Sequence, residues 1–478
     1  MELIDRINAL YQQRFLKNAS RIEKLPQSGS DRVYFRIFDN DKTVIATYNI
    51  NVQENDTFIT FTSHFKSKGL PVPEIYTMDD SHTIYLQEDL GKISLIDELE
   101  SKGKCPEVYE LYKKSLQALA KFQILGDAGL DYNLCLTARE FGKEAILSDL
   151  LYFKYYFLDT LKQPYDKQAL LNDFEALAVF LRQSRFKYFM FRDFQSRNII
   201  VNNGEVYFID YQGGMKGSMQ YDAASLLWQA RAQLSDEWKS SLLNDYFGYA
   251  SELLSHDVDK ELFINQYKGF VLIRLLQVLG AYGFRGLFER KAQFLTSIPL
   301  ALRNLKWFVE NRLIGIDLPE FDRMLKIIVS DEVIEQFECI QADETTPLVV
   351  EVNSFSYKKG LPSDDSDNGG GFIFDCRGIL NPGRFDEYKK LSGLDKPVQD
   401  FLEQKTKMNT FLNSVFDLID ISVENYLERG FKNLQINFGC TGGQHRSVFA
   451  AEQTARHLRN KYKLKVLANH SNRQNWVK

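Results

Sequence analysis

Residues 191–198 read Phe191-Arg192-Asp193-Phe194-Gln195-Ser196-Arg197-Asn198, then comes an apolar stretch that ends at Ile209-Asp210. An aspartate, an asparagine five positions on and a second aspartate beyond a short hairpin fit the needs of phosphoryl transfer. That reaction asks for a nucleophile held in line and divalent cations on the phosphate oxygens, with little covalent help from the protein. On this spacing Asp193 is the expected base, and Asn198 and Asp210 are the expected metal ligands. The competing reading makes both aspartates ordinary turn residues, which Asp and Asn favour. The flanks speak for a catalytic loop between strands. Tyr188–Phe191 and Ile199–Val201 are β-prone, Asn202-Asn203-Gly204 is a hairpin turn, and Val206–Ile209 pairs back.

The chain of 478 residues has room for two or three domains. With 44% hydrophobic and 26% charged residues it has the composition of a globular protein, and its net charge of -5 argues against a surface that coats nucleic acid. Five cysteines are scattered without a CxxC pair, so neither a disulfide framework nor a zinc site is expected and a reducing cytoplasm fits. The first residues carry acids and lack the apolar run of a leader. No uninterrupted 18-residue apolar segment occurs. Val271–Gly280 comes nearest, and Arg274 interrupts it, so no membrane-crossing helix is expected.

Working outward, Val33–Ile37 and Thr43–Tyr48 alternate as a hairpin around Asp39-Asn40-Asp41. Glu54–Lys68 has helical spacing and ends at Gly69, with Pro71 and Pro73 beyond. Ile84–Gln87 is a strand running into Glu88-Asp89-Leu90-Gly91. Helical patterns fill roughly 94–185 and 210–330. A β-rich portion followed by a helical one with an embedded catalytic hairpin predicts an α+β bilobal fold with a nucleotide in the cleft and 88–91 as the hinge. After residue 330 a polar linker (331–346) leads to alternating strands and helices over 347–478, a smaller α/β domain.

Residues 1–330 resemble the aminoglycoside phosphotransferase superfamily of protein-kinase-like folds. Within it they are most similar to the bacterial kinases that phosphorylate N-acetylmuramate and N-acetylglucosamine at the anomeric hydroxyl during cell-wall recycling. The resemblance rests on Gly29–Arg36, Gly69–Ile75, Glu88–Gly91, the 191–198 loop, Ile209–Gln212 and Tyr221–Leu227. It implies ATP and Mg²⁺ as cofactors, an amino sugar as substrate, and nucleotide contacts from Gly29, Ser30, Arg32, Glu88 and Leu90. A nucleotide-binding lysine is absent at Thr47, and Arg32 and Arg36 are candidate substitutes. Phe191 stands where the superfamily carries a histidine. Asp222 is expected to support the loop from a helix start. The aromatics Tyr152, Phe153, Tyr155, Tyr156 and Phe157 read as core, with sugar stacking the alternative.

The second strong motif is Asn437-Phe438-Gly439-Cys440-Thr441-Gly442-Gly443-Gln444-His445-Arg446-Ser447, a strand delivering a glycine-rich loop to a helix start. Loop amides, the helix dipole and Arg446 converge there on an anion, such as a phosphate or sugar phosphate. Cys440 and Arg446 also have the Cys-x5-Arg spacing of cysteine phosphatases. Together with Ser354–Pro362, Phe374–Arg377, Leu380–Pro382 and Leu391–Val398, the motif resembles the C-terminal domain of the RapZ RNase adapter family. That resemblance implies a glucosamine 6-phosphate site lined by Asp375, Thr441, Gly442 and Arg446, and regulatory contacts with RNA or protein. Lys359 and Gly383 stand where that family carries histidines. From Arg446 onward eight Lys/Arg face one acid, Glu452, either an RNA-facing surface or a solvated helix face. The leading expectation is a small-molecule kinase with a domain sensing an amino-sugar phosphate. The alternatives are a regulatory adapter with a non-catalytic kinase-like lobe and a Cys440-dependent phosphatase.

Overall fold

The computed structural model describes residues 3–25, 32–39, 42–254, 258–311, 314–338, 340–363 and 371–477. Packing divides the chain into two compact units, Met1–Gly280 with Leu300–Ser330, and Ala281–Pro299 with Asp331–Lys478. This division differs from the sequence boundary at 330, because 281–299 pack with the C-terminal unit.

The first unit opens on a five-stranded antiparallel sheet in the order β1-β2-β3-β5-β4. Its strands are β1 (Arg21–Lys24), β2 (Val33–Asp39), β3 (Lys42–Tyr48), β4 (Ile75–Met78) and β5 (Ile84–Glu88). Phe35, Ile37, Val44, Ala46, Ile84 and Leu86 point to one face, where Ile7, Leu10 and Tyr11 of the helix Leu3–Phe15 cover them. The helix Val52–Ser67 begins at Asn51, whose side chain accepts the Glu54 N–H, and stops short of Gly69, which has a φ of +71°.

The rest of this unit is helical around two short antiparallel ribbons. β6 (Lys187–Met190) pairs with β9 (Met215–Ser218), and β7 (Ile199–Asn202) pairs with β8 (Glu205–Phe208). Asn203 and Gly204 both have positive φ at the β7–β8 turn, as a tight hairpin requires. Phe122, from the helix Pro106–Asp127, sits within about 6 Å ring to ring of Phe65, Phe189, Phe191, Phe208 and Tyr211. This buried aromatic cluster anchors both ends of the 191–210 segment.

A correction concerns the apolar run around Arg274. The helix Lys260–Phe288 is long and apolar enough, by length and composition, to cross a membrane, although 61% of its apolar window is buried inside the protein. Arg274 is itself buried. The run is a core helix with a charge turned inward, the common origin of such a signal.

The second unit is built on a parallel sheet in the order β11-β12-β10-β13. Its strands are β10 (Val349–Ser356), β11 (Gly371–Asp375), β12 (Asn433–Cys440) and β13 (Lys465–His470). The helices Lys396–Lys405, Met408–Arg429 and Arg446–Tyr462 complete it, and Val350, Val352, Ile436, Phe438, Ile419 and Leu458 lie in one apolar core. Parallel strands need crossover connections; the first two of these helices lie between β11 and β12 and the third between β12 and β13.

Candidate active site

The 191–198 loop is held from below. Asp222, fully buried in the helix Met219–Leu227, accepts the N–H of Phe191 at 2.7 Å, that of Arg192 at 3.0 Å and the Gln123 amide at 2.7 Å. Burial pushes its carboxyl up to about 7, and these donors only partly offset that. Arg192 takes a φ of +78°, a region unfavourable to side-chain-bearing residues, and its guanidinium grips Asp149 with two bonds of 2.7 and 2.8 Å. The expected supporting role of Asp222 matches this geometry.

Asp193 follows. Its carboxylate accepts from Arg274 at 3.0 Å, from Arg197 at 3.2 Å and from the Gln195 amide. Burial raises its pKa, but the Arg274 and Arg197 charges and hydrogen bonds outweigh it and hold the group below the usual carboxylate range. The Asn198 amide donates to the Asp193 carbonyl at 2.9 Å and to Asp210 Oδ2 at 3.4 Å. Asp210, at a φ of +69° just past β8, accepts the Gln212 amide on Oδ1 at 2.9 Å. Asp193, Asn198 and Asp210 are therefore brought together. With its nitrogen occupied, Asn198 keeps its amide oxygen as a cation ligand, and the Asp210 side chain is 42% exposed. An amide oxygen and a carboxylate suit Mg²⁺, which keeps water and phosphate oxygens in its other positions. Among the described residues no cluster of three or more His, Cys, Asp and Glu could hold a metal.

Above the loop, Arg32 is buried, paired with Glu54 and 3.5 Å from Asp210 Oδ1. Glu54 also accepts from Asn49 at 2.9 Å. Thr47 is fully buried on β3. Arg36 is not a solvent-facing charge: it clamps Asp89 at 2.5 and 2.9 Å and reaches the Gly91 carbonyl at 3.2 Å, fixing the segment after β5. In that segment the Glu88 carboxylate accepts the Glu74 N–H at 3.0 Å, and the Leu90 side chain is buried. Gly29, Ser30 and the turn at Asn40-Asp41 lie outside the described residues, as does most of the Asp364–Gly371 loop. Phe153 and Phe157 are buried and stacked, whereas Tyr155 is 58% exposed.

Sequence reading missed Arg274, Glu54 and Gln212 as members of this network. Arg274 left a signal, since a lone charge in an apolar run needs a buried partner. Glu54 left none, being a common surface residue type, while Gln212 stood within the Ile209–Gln212 match with no role attached to it.

In the second unit Cys440 ends β12 and the loop runs into the helix Arg446–Tyr462. Thr441 and Gly442 are exposed. Arg446 is buried and donates to the carbonyls of Arg377 and Ile379 at 2.9 and 2.7 Å. Asp375 is clamped by Arg377, which lowers its pKa chiefly through those hydrogen bonds. The Cys440 thiol is buried, accepts the Gly443 N–H at 3.2 Å and lies 3.1 Å from Ser447 Oγ. His445 braces the loop against the Tyr388 carbonyl at 2.9 Å. Part of the basic tail is committed inward: Lys461 to Asp420 and Glu424, and Arg459 to the Val466 carbonyl.

Comparison with known proteins finds a family match over each of the two regions. Residues 21–254 match the phosphotransferase enzyme family, and residues 348–474 match the RapZ C-terminal domain. A nucleotide-binding protein of Clostridium acetobutylicum is 30% identical over 216 residues, 45% of this chain and 65% of that protein. One from Shewanella halifaxensis is 37% identical over 120 residues, 25% of this chain and 40% of that protein. The chain thus spans less than two thirds of either relative. Among solved structures, the choline kinase LicA of Streptococcus pneumoniae superposes on 65% of this chain and all of its own, with a TM-score of 0.41 and 14% identity. The chain thus joins an α+β region that matches the phosphotransferase enzyme family to an α/β region that matches the RapZ C-terminal domain.

Proposed function

We propose that this chain is an ATP- and Mg²⁺-dependent kinase that phosphorylates an amino sugar of cell-wall recycling. Its acceptor would be the anomeric hydroxyl of N-acetylmuramate or N-acetylglucosamine. The observation that supports the reading is that the Asn198 amide bonds both the Asp193 backbone carbonyl and the Asp210 carboxylate, which brings the three positions close together. Asp193, kept ionised by Arg274 and Arg197, orients the acceptor hydroxyl and takes its proton. Asn198 and Asp210 hold the metal, which when bound neutralises charge on the transferring phosphate. Arg32, with Glu54 behind it, contacts the phosphates in place of the missing lysine, beside Gly29 and Ser30, and the backbone of Glu88 and Leu90 receives the base. The C-terminal loop binds an amino-sugar phosphate through Thr441, Gly442, Arg446 and Asp375. Free thiols at Cys105, Cys135, Cys376 and Cys440 support a reducing cytoplasmic setting.

Incubation with ATP, Mg²⁺ and a panel of amino sugars, read by phosphorus NMR, tests this reading. An anomeric phosphate formed by the native chain and not by Asp193→Asn is expected. ATP binding with no transfer to any sugar would instead favour a regulatory adapter, a reading encouraged by the lysine missing at Thr47.

A further inference from the structure

The Asp193 carboxylate has three partners, and two of them, Gln195 and Arg197, ride on the same loop. Arg274 alone among the described residues reaches it from elsewhere, at 3.0 Å from the helix Lys260–Tyr282. Its side chain is 5% exposed, its other terminal nitrogen donates to Gln277 at 2.6 Å, and it lies 5.8 Å from the Tyr221 ring. Glycines fix this helix on both sides of Arg274. A Cβ on Gly269 would come within 2.5 Å of Leu181, and one on Gly280 within 3.0 Å of the Phe153 backbone. The guanidinium is therefore placed by helix packing and cannot follow the loop. A buried charge of this kind is tolerated only where a specific partner compensates it.

We propose that Arg274 is the positioning residue that fixes the Asp193 carboxylate for the acceptor hydroxyl, a role that rests on the kinase reading above. Loop-borne partners hold the carboxylate's charge, and Arg274 sets its direction. Misdirection by about an ångström costs on the order of a hundredfold in rate.

The test compares native protein, Asp193→Asn, Arg274→Met and Arg274→Lys in one transfer assay with full-length protein, alongside thermal melting and ATP-binding calorimetry. Arg274→Met is expected to lower kcat by about 10–100-fold while KM for ATP stays within about twofold, and Arg274→Lys to recover part of the loss. A melting cycle adds a readout independent of activity: Arg274→Met should destabilise the native protein more than it destabilises Asp193→Asn. It also serves if Arg274→Met proves too unstable to assay, with Arg274→Lys then carrying the kinetics. An unchanged kcat in a folded Arg274→Met, or equal melting losses in both backgrounds, overturns the proposal. Native protein that transfers phosphate to no acceptor overturns the kinase reading instead, and the melting cycle still decides whether the two side chains are coupled.

Discussion

The loop around Asp193 and the glycine-rich loop after Cys440 are built from opposite materials. In the first, side chains grip side chains: Asp193 to Arg274, Asn198 to Asp210, Arg32 to Glu54, with Asp222 beneath. In the second, backbone does the shaping. Gln444 donates to the carbonyls of Lys389 and Leu391, Arg446 to those of Arg377 and Ile379, and the nearby acid, Asp375, is clamped by Arg377. A carboxylate network suits proton transfer and cation binding, whereas loop amides and glycines suit holding an anion. The contrast is between side chains that position one another and a loop shaped through its backbone.

The sharpest way to break the contrast is Asp193→Asn. Single-turnover transfer from ATP should fall by about 10²–10⁴-fold with nucleotide binding retained. Asp222 comes next. Its folded pKa is raised from 3.8 to about 7, so it favours folding below pH 4 and that contribution is lost as pH rises towards 7. Denaturant melts of the native protein should therefore show a decline on the order of a few kcal/mol across pH 4–7 from this group, and Asp222→Asn should flatten it. In the glycine loop, Gly443→Ala forces an L side chain into a φ of +62° with its Cβ 3.0 Å from the Ser356 nitrogen. Thermal melting of the C-terminal unit should register a loss of about 1–3 kcal/mol. The smallest effect belongs to Cys440→Ser. With the thiol buried and Arg446 turned to carbonyls, neither protein should release phosphate from an aryl phosphate. Turnover by the native chain that Cys440→Ser abolishes would give the second loop chemistry after all.

Much of this was legible in the sequence because it is local. The strand, loop and helix boundaries of the C-terminal unit follow its apolar alternation closely, and Asp193, Asn198 and Asp210 stand at fixed spacing across one hairpin. Three short strands were missed: β1, β4 and β9 have four residues each, too few to show a period, and lack the hairpin turn and adjoining motif that marked β6, β7 and β8 at the same length. The helix Leu3–Phe15 does carry helical spacing, in Ile7, Leu10 and Tyr11, but those opening residues were read only for a leader. Long-range partners escaped for a different reason. Arg274 lies 81 positions from Asp193, and Arg36 lies 53 from Asp89. No local pattern encodes such pairings, so Arg36, a candidate substitute for the missing lysine, instead fastens the segment after β5.

The threonine buried next to the end of β3 has a practical consequence for chemical profiling. Acylating nucleotide probes find protein kinases through the amine on that strand, and Thr47 offers them none. A survey that counts on an amine at that position would find none in this chain, so its nucleotide occupancy is better read by a label-free method.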